Sequence, residues 1–264
     1  TITVTRDSGT QILNVTNERT KGQVIVHHYL KDSTVPVPMQ DGTDAQDEIK
    51  ENVVGEIYAT KELEGIDPQF ECISSIGQTS GEYEDGTIEV TYYYDYKDST
   101  VTVHYYIEGT ENSLLDDVVI TGRITSHYET EVATDIPEYY ELVEEPLNKE
   151  GTITYSPIEV IYEFRLKKYP YTVNYYKNDT TEKLAESKNE EEITYGNTIN
   201  AEDEEIFITG YKVVGHNIDE LVIGTDNNIL NIYYDIDESQ TKDLSYIVEY
   251  YKDNIKVDSD TQTE

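Results

Sequence analysis

One phrase recurs along the chain and constrains the fold more than any other feature. It reads VIVHHYLKD from Val24, VTVHYYIEG from Val101, YTVNYYKND from Tyr171 and YIVEYYKDN from Tyr246. Aligning Val26, Val103, Val173 and Val248 gives spacings of 77, 70 and 75 residues. A second phrase closes the first three units: IEVTYYY ending at Tyr94, IEVIYEF ending at Phe164 and NILNIYY ending at Tyr234, spaced by 70 and 70. A third anchor lies between them and matches Phe70 with Tyr140 and Tyr211, and Cys72 with Leu142 and Val213. A period this long exceeds a solenoid repeat and suits a small domain. The reading is a tandem array: 22–98, 99–168 and 169–240 as three complete modules, and 241–264 as the truncated start of a fourth.

Both phrases alternate in the manner of strands, and Val, Ile and Tyr dominate them. The fold class read from this is mainly β with little helix. One segment carries a helix signal, Thr43 to Val53 (TDAQDEIKENV), with Thr43 or Asp44 as N-cap and acidic residues in the first turn. In the second unit NSLLDDVV is expected to make at most a turn or two. The joints DYKDST and RLKKYP are short, which keeps neighbours close and favours an elongated array. The third joint, Asp235 to Ser245, is longer and polar, and is expected to bend most. Residues 1–21 read as the hairpin of a preceding domain, TITVT and QILNVTN flanking a Gly-containing turn.

The formal net charge of −36, from 55 acidic and 19 basic residues, repels phosphates and anionic lipid, so no nucleic acid is expected as a partner. No apolar run reaches the roughly 18 residues that span a bilayer, so no membrane insertion is expected in this segment. No leader or anchor is evident, and the chain reads as part of something longer. The single cysteine, Cys72, excludes an internal disulfide and leaves the compartment open. Its alignment partners are plain hydrophobes, so it is expected to be a buried apolar side chain.

The second unit carries the most informative set of residues. Thr121–Gly122, then Tyr128, Glu129 and Thr130, then Asp135 to Pro137 with Tyr140, then Pro146, Asn148, Gly151–Thr152 and the closing EVIYEF follow in order. In this order they resemble the mucin-binding protein (MucBP) repeats of Gram-positive surface adhesins. The first unit keeps Pro68, Phe70, Gly81 and the closing strand. The third keeps Tyr195, Gly196, Gly210 and Tyr211, but has Leu221 where the second has Gly151. The resemblance implies β-grasp or ubiquitin-like modules, with the first and last strands parallel neighbours at the sheet centre. It also implies an extracellular, cell-wall location and host mucin or other glycoprotein glycans as partners, with a monomeric chain. Residues 1–21 are similar to the closing strands of Cna B-type domains, in which Asn14 or Asn17 would stand as an isopeptide acceptor; no bond is expected within this chain.

Strand parity separates the paired tyrosines. Tyr105, Tyr175 and Tyr250 share a face with the core valines. Tyr29, Tyr106 and Tyr176 point the other way, as do Tyr93 and Tyr233 on closing strands. Two readings stand for the outward set. One is cross-strand packing, at about 0.2–1 kcal/mol per pair. The other is a stacking platform for sugar rings. The chain has no Trp, and its charge opposes anionic glycans, so a basic patch would be needed for those; Arg165, Lys167 and Lys168 in RLKKY are the candidates.

No catalytic pattern is present. The five histidines lack metal spacing, and His27 and His104 read as variable outward strand residues. There is no nucleophile elbow, phosphate loop or EF-hand. No cofactor is expected beyond opportunistic Ca²⁺ at acidic loops, and NVT and NDT read as chance glycosylation patterns in a bacterial protein. Two functions remain from the sequence: an adhesin segment binding mucin or related glycans, or a stalk that projects a distal domain and has no ligand of its own.

Overall fold

The structure, a computed structural model, describes residues 18–263. The expected N-terminal hairpin, with Asn14 and Asn17, lies outside them. Contacts group the chain into two units. One takes in the residues up to His104 with Asp116–Glu131 and Pro146–Ile161; the other takes in Tyr105–Leu115, Val132–Glu145 and the residues from Tyr162 on.

The protein is mainly β. The first repeat contributes β1 (Lys21–Leu30), β2 (Glu48–Val53), β3 (Ile57–Ala59), β4 (Phe70–Ile76), β5 (Ser80–Glu82) and β6 (Gly86–Tyr96). The second contributes β7 (Asp98–Ile107), β8 (Val118–Arg123), β9 (His127–Glu129), β10 (Tyr140–Leu142), β11 (Glu150–Thr152) and β12 (Ile158–Leu166). The third contributes β13 (Lys168–Lys177), β14 (Lys188–Thr194), β15 (Thr198–Asn200), a 3-10 turn (Ala201–Glu204), β16 (Tyr211–His216), β17 (Glu220–Val222) and β18 (Ile229–Ile236). A last hairpin joins β19 (Ser245–Lys252) to β20 (Ile255–Thr263).

Each repeat forms one four-stranded sheet, ordered β2-β1-β6-β4, β8-β7-β12-β10 and β14-β13-β18-β16. Opening and closing strands are central neighbours each time, and they pair in parallel in the first and third sheets. Parallel neighbours need a long crossover, and the middle of each repeat supplies it. The alternation written in the sequence sets the burial. Val24, Val26, Val90, Tyr92 and Tyr94 fill the first core with Phe70 and Val37. Val173, Tyr175, Leu230, Ile232 and Tyr234 do so in the third. Val101, Val103, Tyr105, Val160, Tyr162 and Phe164 are buried in the second. The last hairpin differs: Tyr250 stays about half exposed, because among the described residues β19 pairs only with β20 and no closing strand covers its apolar side.

The helix expected at Thr43 to Val53 is not formed. Asp41 pins the start of that stretch as a turn, accepting from the Thr43 N–H at 3.0 Å and the Thr43 hydroxyl at 2.6 Å. Ala45 then donates to the Val37 carbonyl, and residues 48–53 become β2, antiparallel to β1 from Lys21↔Val53 to Val26↔Glu48. Helix preference amounts to tenths of a kcal/mol per residue. Leaving the main-chain donors and acceptors along one side of β1 without strand partners outweighs it. For the same reason NSLLDDVV makes no helical turn. Ser113 bridges to Tyr106, Leu114 donates to the Tyr105 carbonyl, and Val118 opens β8. The 3-10 turn falls instead in the third repeat, at Ala201–Glu204, a stretch with no helix signal in its residues.

A small two-stranded sheet sits in each crossover, and one of its pairings explains a sequence difference. Tyr58 lies opposite Gly81 and Tyr128 opposite Gly151, each tyrosine hydroxyl donating to a carbonyl, of Gln78 at 2.9 Å and of Asn148 at 3.0 Å. A Cβ at Gly151 would stand 3.2 Å from the Tyr128 ring. In the third repeat Ile199 replaces the tyrosine, and Leu221 fills the space opposite it. The missing glycine step is a volume exchange within one pair.

The joints are shorter than the sequence implied. One residue, Lys97, separates β6 from β7, and one, Lys167, separates β12 from β13. Each uses its backbone in both directions. Lys97 N–H donates to the Gln69 carbonyl at 2.8 Å, and its own carbonyl accepts from Ile124 N–H at 3.0 Å. Lys167 does the same with Tyr139 at 2.9 Å and Tyr195 at 3.0 Å. Around Lys167, Tyr139 and Tyr195 stack face to face with centroids 4.2 Å apart. Around Lys97, Arg123 of the second repeat pairs with Asp95 of the first at 2.9 Å. The third joint begins with an Asx turn, in which the Asp237 carboxylate accepts from Ser239 N–H and Oγ.

Candidate functional site

The outward face of each central strand pair collects the residues on which a ligand could lie. Tyr29, Tyr106, Tyr176, Tyr93 and Tyr233 are all half-buried there. Tyr29 stands directly opposite Tyr93, and Tyr176 opposite Tyr233. In the second repeat the closing strand carries Glu163 in place of the second tyrosine, and its carboxylate accepts from Gly109 N–H at 3.2 Å.

What surrounds these tyrosines differs between repeats. In the first, His27 stacks on Tyr29 with centroids 5.2 Å apart, and its Nδ1 lies 3.0 Å from the Tyr29 hydroxyl and 2.8 Å from Asp47. Burial, with Asp47 behind it, pushes the Tyr29 hydroxyl above its ordinary pKa. In the second, His104 Nδ1 meets Asp117 at 2.9 Å. The third repeat has Asn174 in the histidine position and Ser187 in the aspartate position, so an imidazole–carboxylate pair becomes an amide–hydroxyl one. Ser187 Oγ donates to Asn174 Oδ1 at 2.7 Å, and Asn174 Nδ2 donates to Asn231 Oδ1 at 3.0 Å. Lys183 Nζ donates to Asn174 Oδ1 at 3.2 Å and lies 5.9 Å from the centre of the Tyr176 ring. A cleft beside this row is lined by Asn178, Asp179, Thr180, Thr181 and Tyr233.

The basic cluster lines a second cleft, at the joint of the second and third repeats. Arg165, Lys167 and Lys168 share it with Glu141, Glu191 and Glu192, three cations with three carboxylates. Arg165 Nε donates to Glu141 at 2.8 Å, and this bond holds the guanidinium pKa up. Lys168 lies 3.4 Å from Glu192, and Lys167 Nζ donates to the Glu138 carbonyl at 2.5 Å. The positive charge is therefore locally balanced.

Cys72 is half-buried and packs on the edge of the first core rather than inside it. Burial pushes its thiol pKa up, which lowers its nucleophilicity at neutral pH. It lies opposite the buried Tyr94 of β6, beside a bulge between Cys72 and Ser74. Among the described residues no group of three or more His, Cys, Asp or Glu side chains comes together as a metal site. Among the described residues no helix is long and apolar enough to cross a membrane.

Three groups escaped the sequence reading. The Asn174–Ser187–Asn231 row was detectable: Asp47, Asp117 and Ser187 are spaced by 70 and 70, the period of the repeat itself. The Tyr139–Tyr195 stack falls outside the strand phrases. The third is His28, 1% exposed, at the position that Tyr105 and Tyr175 hold in the later repeats.

Residues 39–95 and 100–165 match the MucBP domain. The first match begins beyond β1, although that strand is the centre of its sheet. No curated protein matches the chain. Among solved structures, the chain is similar to a crystal structure of Mub-RV at 12% identity, covering 55% of this chain and 98% of that one, with a TM-score of 0.21. It is similar to Streptococcal High Identity Repeats in Tandem (SHIRT) domains 3–4 from a cell surface protein at 10% identity, covering 53% and 98%, with a TM-score of 0.27. It is also similar to the Bacillus anthracis TIE protein at 14% identity, covering 83% of this chain and 51% of that one, with a TM-score of 0.37.

Proposed function

We propose that this chain, which carries tandem MucBP domains at residues 39–95 and 100–165, is a binding segment of an extracellular, wall-anchored adhesin, and that it takes host mucin or related glycans on its outward tyrosine faces. The observation that carries the reading is the repeated half-buried tyrosine at Tyr29, Tyr106 and Tyr176, doubled by Tyr93 and Tyr233 on two closing strands. A rigid, amphipathic ring at a sheet surface offers a sugar both an apolar face and a hydroxyl. The core tyrosines are taken up inside the repeats, so parity assigns the two sets different work. The segment acts by binding rather than catalysis: the carboxylates of the joint cleft, Glu141, Glu191 and Glu192, lie among the cations Arg165, Lys167 and Lys168. Because the joint cluster at Arg165, Lys167 and Lys168 is charge-balanced, recognition falls to the aromatic faces. Passing the fragment over immobilised mucin at low and physiological salt tests the reading. Retention at both salts supports it, and no retention at either sinks it.

A second reading is favoured by the joints. Lys97 and Lys167 each bond the backbones of two successive repeats, which suits a spacer that holds a distal domain away from the cell. Amide exchange at Lys97, Ile124, Lys167 and Tyr195 separates the cases. Protection matching the central strands supports stiffness at these joints, and exchange at loop rates removes the argument for a stalk.

A further inference from the structure

The three outward faces occupy equivalent positions, yet only one is free of carboxylates at its centre. In the first repeat Asp47 holds His27, which in turn covers Tyr29, and Glu89 stands opposite Ile25. In the second, Asp117 holds His104, and Glu163 replaces the second tyrosine. The third has Asn174, Ser187 and Asn231 joined side chain to side chain, with Tyr176 and Tyr233 directly opposite each other one step further along the strands. The loop after β13 adds Asn178, Asp179, Thr180 and Thr181 around the cleft at Tyr233. This face also carries one ammonium, Lys183, bonded to Asn174 and Ser187, and one carboxylate, Asp179, in the cleft.

We propose that this face of the third repeat is a subsite for one neutral pyranose unit, seated on Tyr176 and Tyr233 and hydrogen-bonded by Ser187, Asn231 and the 178–181 loop, with the buried Asn174 holding Ser187 and Asn231 in place from behind. The chemistry follows from what a sugar presents. Each hydroxyl is both donor and acceptor, and amide and hydroxyl side chains match that duality, whereas a carboxylate only accepts. The C–H face of the ring needs an aromatic surface, and the tyrosine pair supplies one. A chain of net charge −36 repels acidic sugars over most of its surface. Its neutral row therefore selects an uncharged residue of a glycan, such as a hexose or an N-acetylhexosamine. The third repeat lies outside the stretches that match the MucBP domain, and the inference rests on the glycan-binding reading above while locating it.

The test is an NMR titration of the whole chain with N-acetyllactosamine and, separately, with its sialylated form. Saturable shifts at Tyr176, Tyr233, Asn174, Asn231 and residues 178–181 are expected with the neutral sugar. The sialylated form should bind no more tightly. The double variant Asn174→His with Ser187→Asp installs the pair with which the first two repeats already fold. It should keep the spectrum of a folded third repeat and weaken binding about tenfold or more. Tyr233→Ala should weaken it similarly. Shifts centred on the first or second repeat, unchanged affinity in the double variant, or tighter binding of the sialylated form would each overturn the subsite. If mucin is still captured in that case, the general glycan reading survives without this location; loss of mucin capture by the unaltered chain removes both.

Discussion

Replacing His28 by tyrosine should remove a pH dependence that belongs to the first repeat alone. The imidazole is 1% exposed, stacked against Tyr92 at 5.7 Å, with Nδ1 3.0 Å from the Tyr94 hydroxyl. Its Nε2 is buried, makes no hydrogen bond, and lies 3.6 Å from a Glu48 oxygen. Burial lowers the pKa from its ordinary 6.5; Glu48 and Asp47 pull the other way and His27 adds a small lowering, so burial decides the direction. The unfolded chain then binds more protons than the folded one below pH 6.5. Stability is complete above that value and is lost as pH falls through it. One proton difference is worth at most about 1.4 kcal/mol per pH unit, so the first repeat should lose up to about 1.4 kcal/mol one unit below 6.5. The second and third repeats already hold Tyr105 and Tyr175 at this position, and Tyr105 stacks on Tyr162 at 5.7 Å. NMR-detected urea unfolding, read at the Val24 and Val26 methyls, isolates the first repeat, since the repeats need not unfold together. The unaltered chain should weaken between pH 7 and 5.5 while the H28Y chain changes less over the same range. Identical pH slopes in the two would refute the assignment of the shift to buried, neutral His28.

Two further outcomes follow from particular contacts. Gly22→Ala would place a Cβ 2.1 Å from the Glu84 carbonyl oxygen, so β1 or the turn before β6 must move; the first repeat should lose about 1–3 kcal/mol in urea unfolding, with little change in the third. In the third repeat Glu204 takes both Lys188 Nζ, at 2.7 and 2.9 Å, and the Tyr171 hydroxyl, at 2.8 Å; Glu204→Ala should lower that repeat's stability by about 1–3 kcal/mol in the same assay.

The repeat and its strand parity were legible because a period of about 70 residues and a period of two are written directly in residue order. The buried faces at Val24 and Val26, Val101 and Val103, and Val160 and Tyr162 follow from alternation alone. What alternation cannot report is which main-chain groups need partners. Residues 48–53 carry helix-forming side chains, yet the open side of β1 draws them into a strand. His28 was passed over because an imidazole at a tyrosine position gives no hydrophobic signal, although its register with Tyr105 and Tyr175 marks it as inward. The brevity of the joints was visible, whereas their bonding was not, because Lys97 and Lys167 act through backbone atoms that every residue shares. The candidate tyrosines were placed by parity; their neighbours Asn174, Asn231 and Ser187 emerge only when the three faces are compared position by position.

The most direct measurement is binding of the chain to immobilised mucin before and after sialidase treatment, at physiological salt. If recognition runs through neutral, aromatic faces on an acidic chain, capture should persist or rise once the sialic acids are removed, because repulsion falls and the uncharged sugars beneath become accessible. Capture that disappears with the sialic acids would contradict the account and return recognition to the cations Arg165, Lys167 and Lys168.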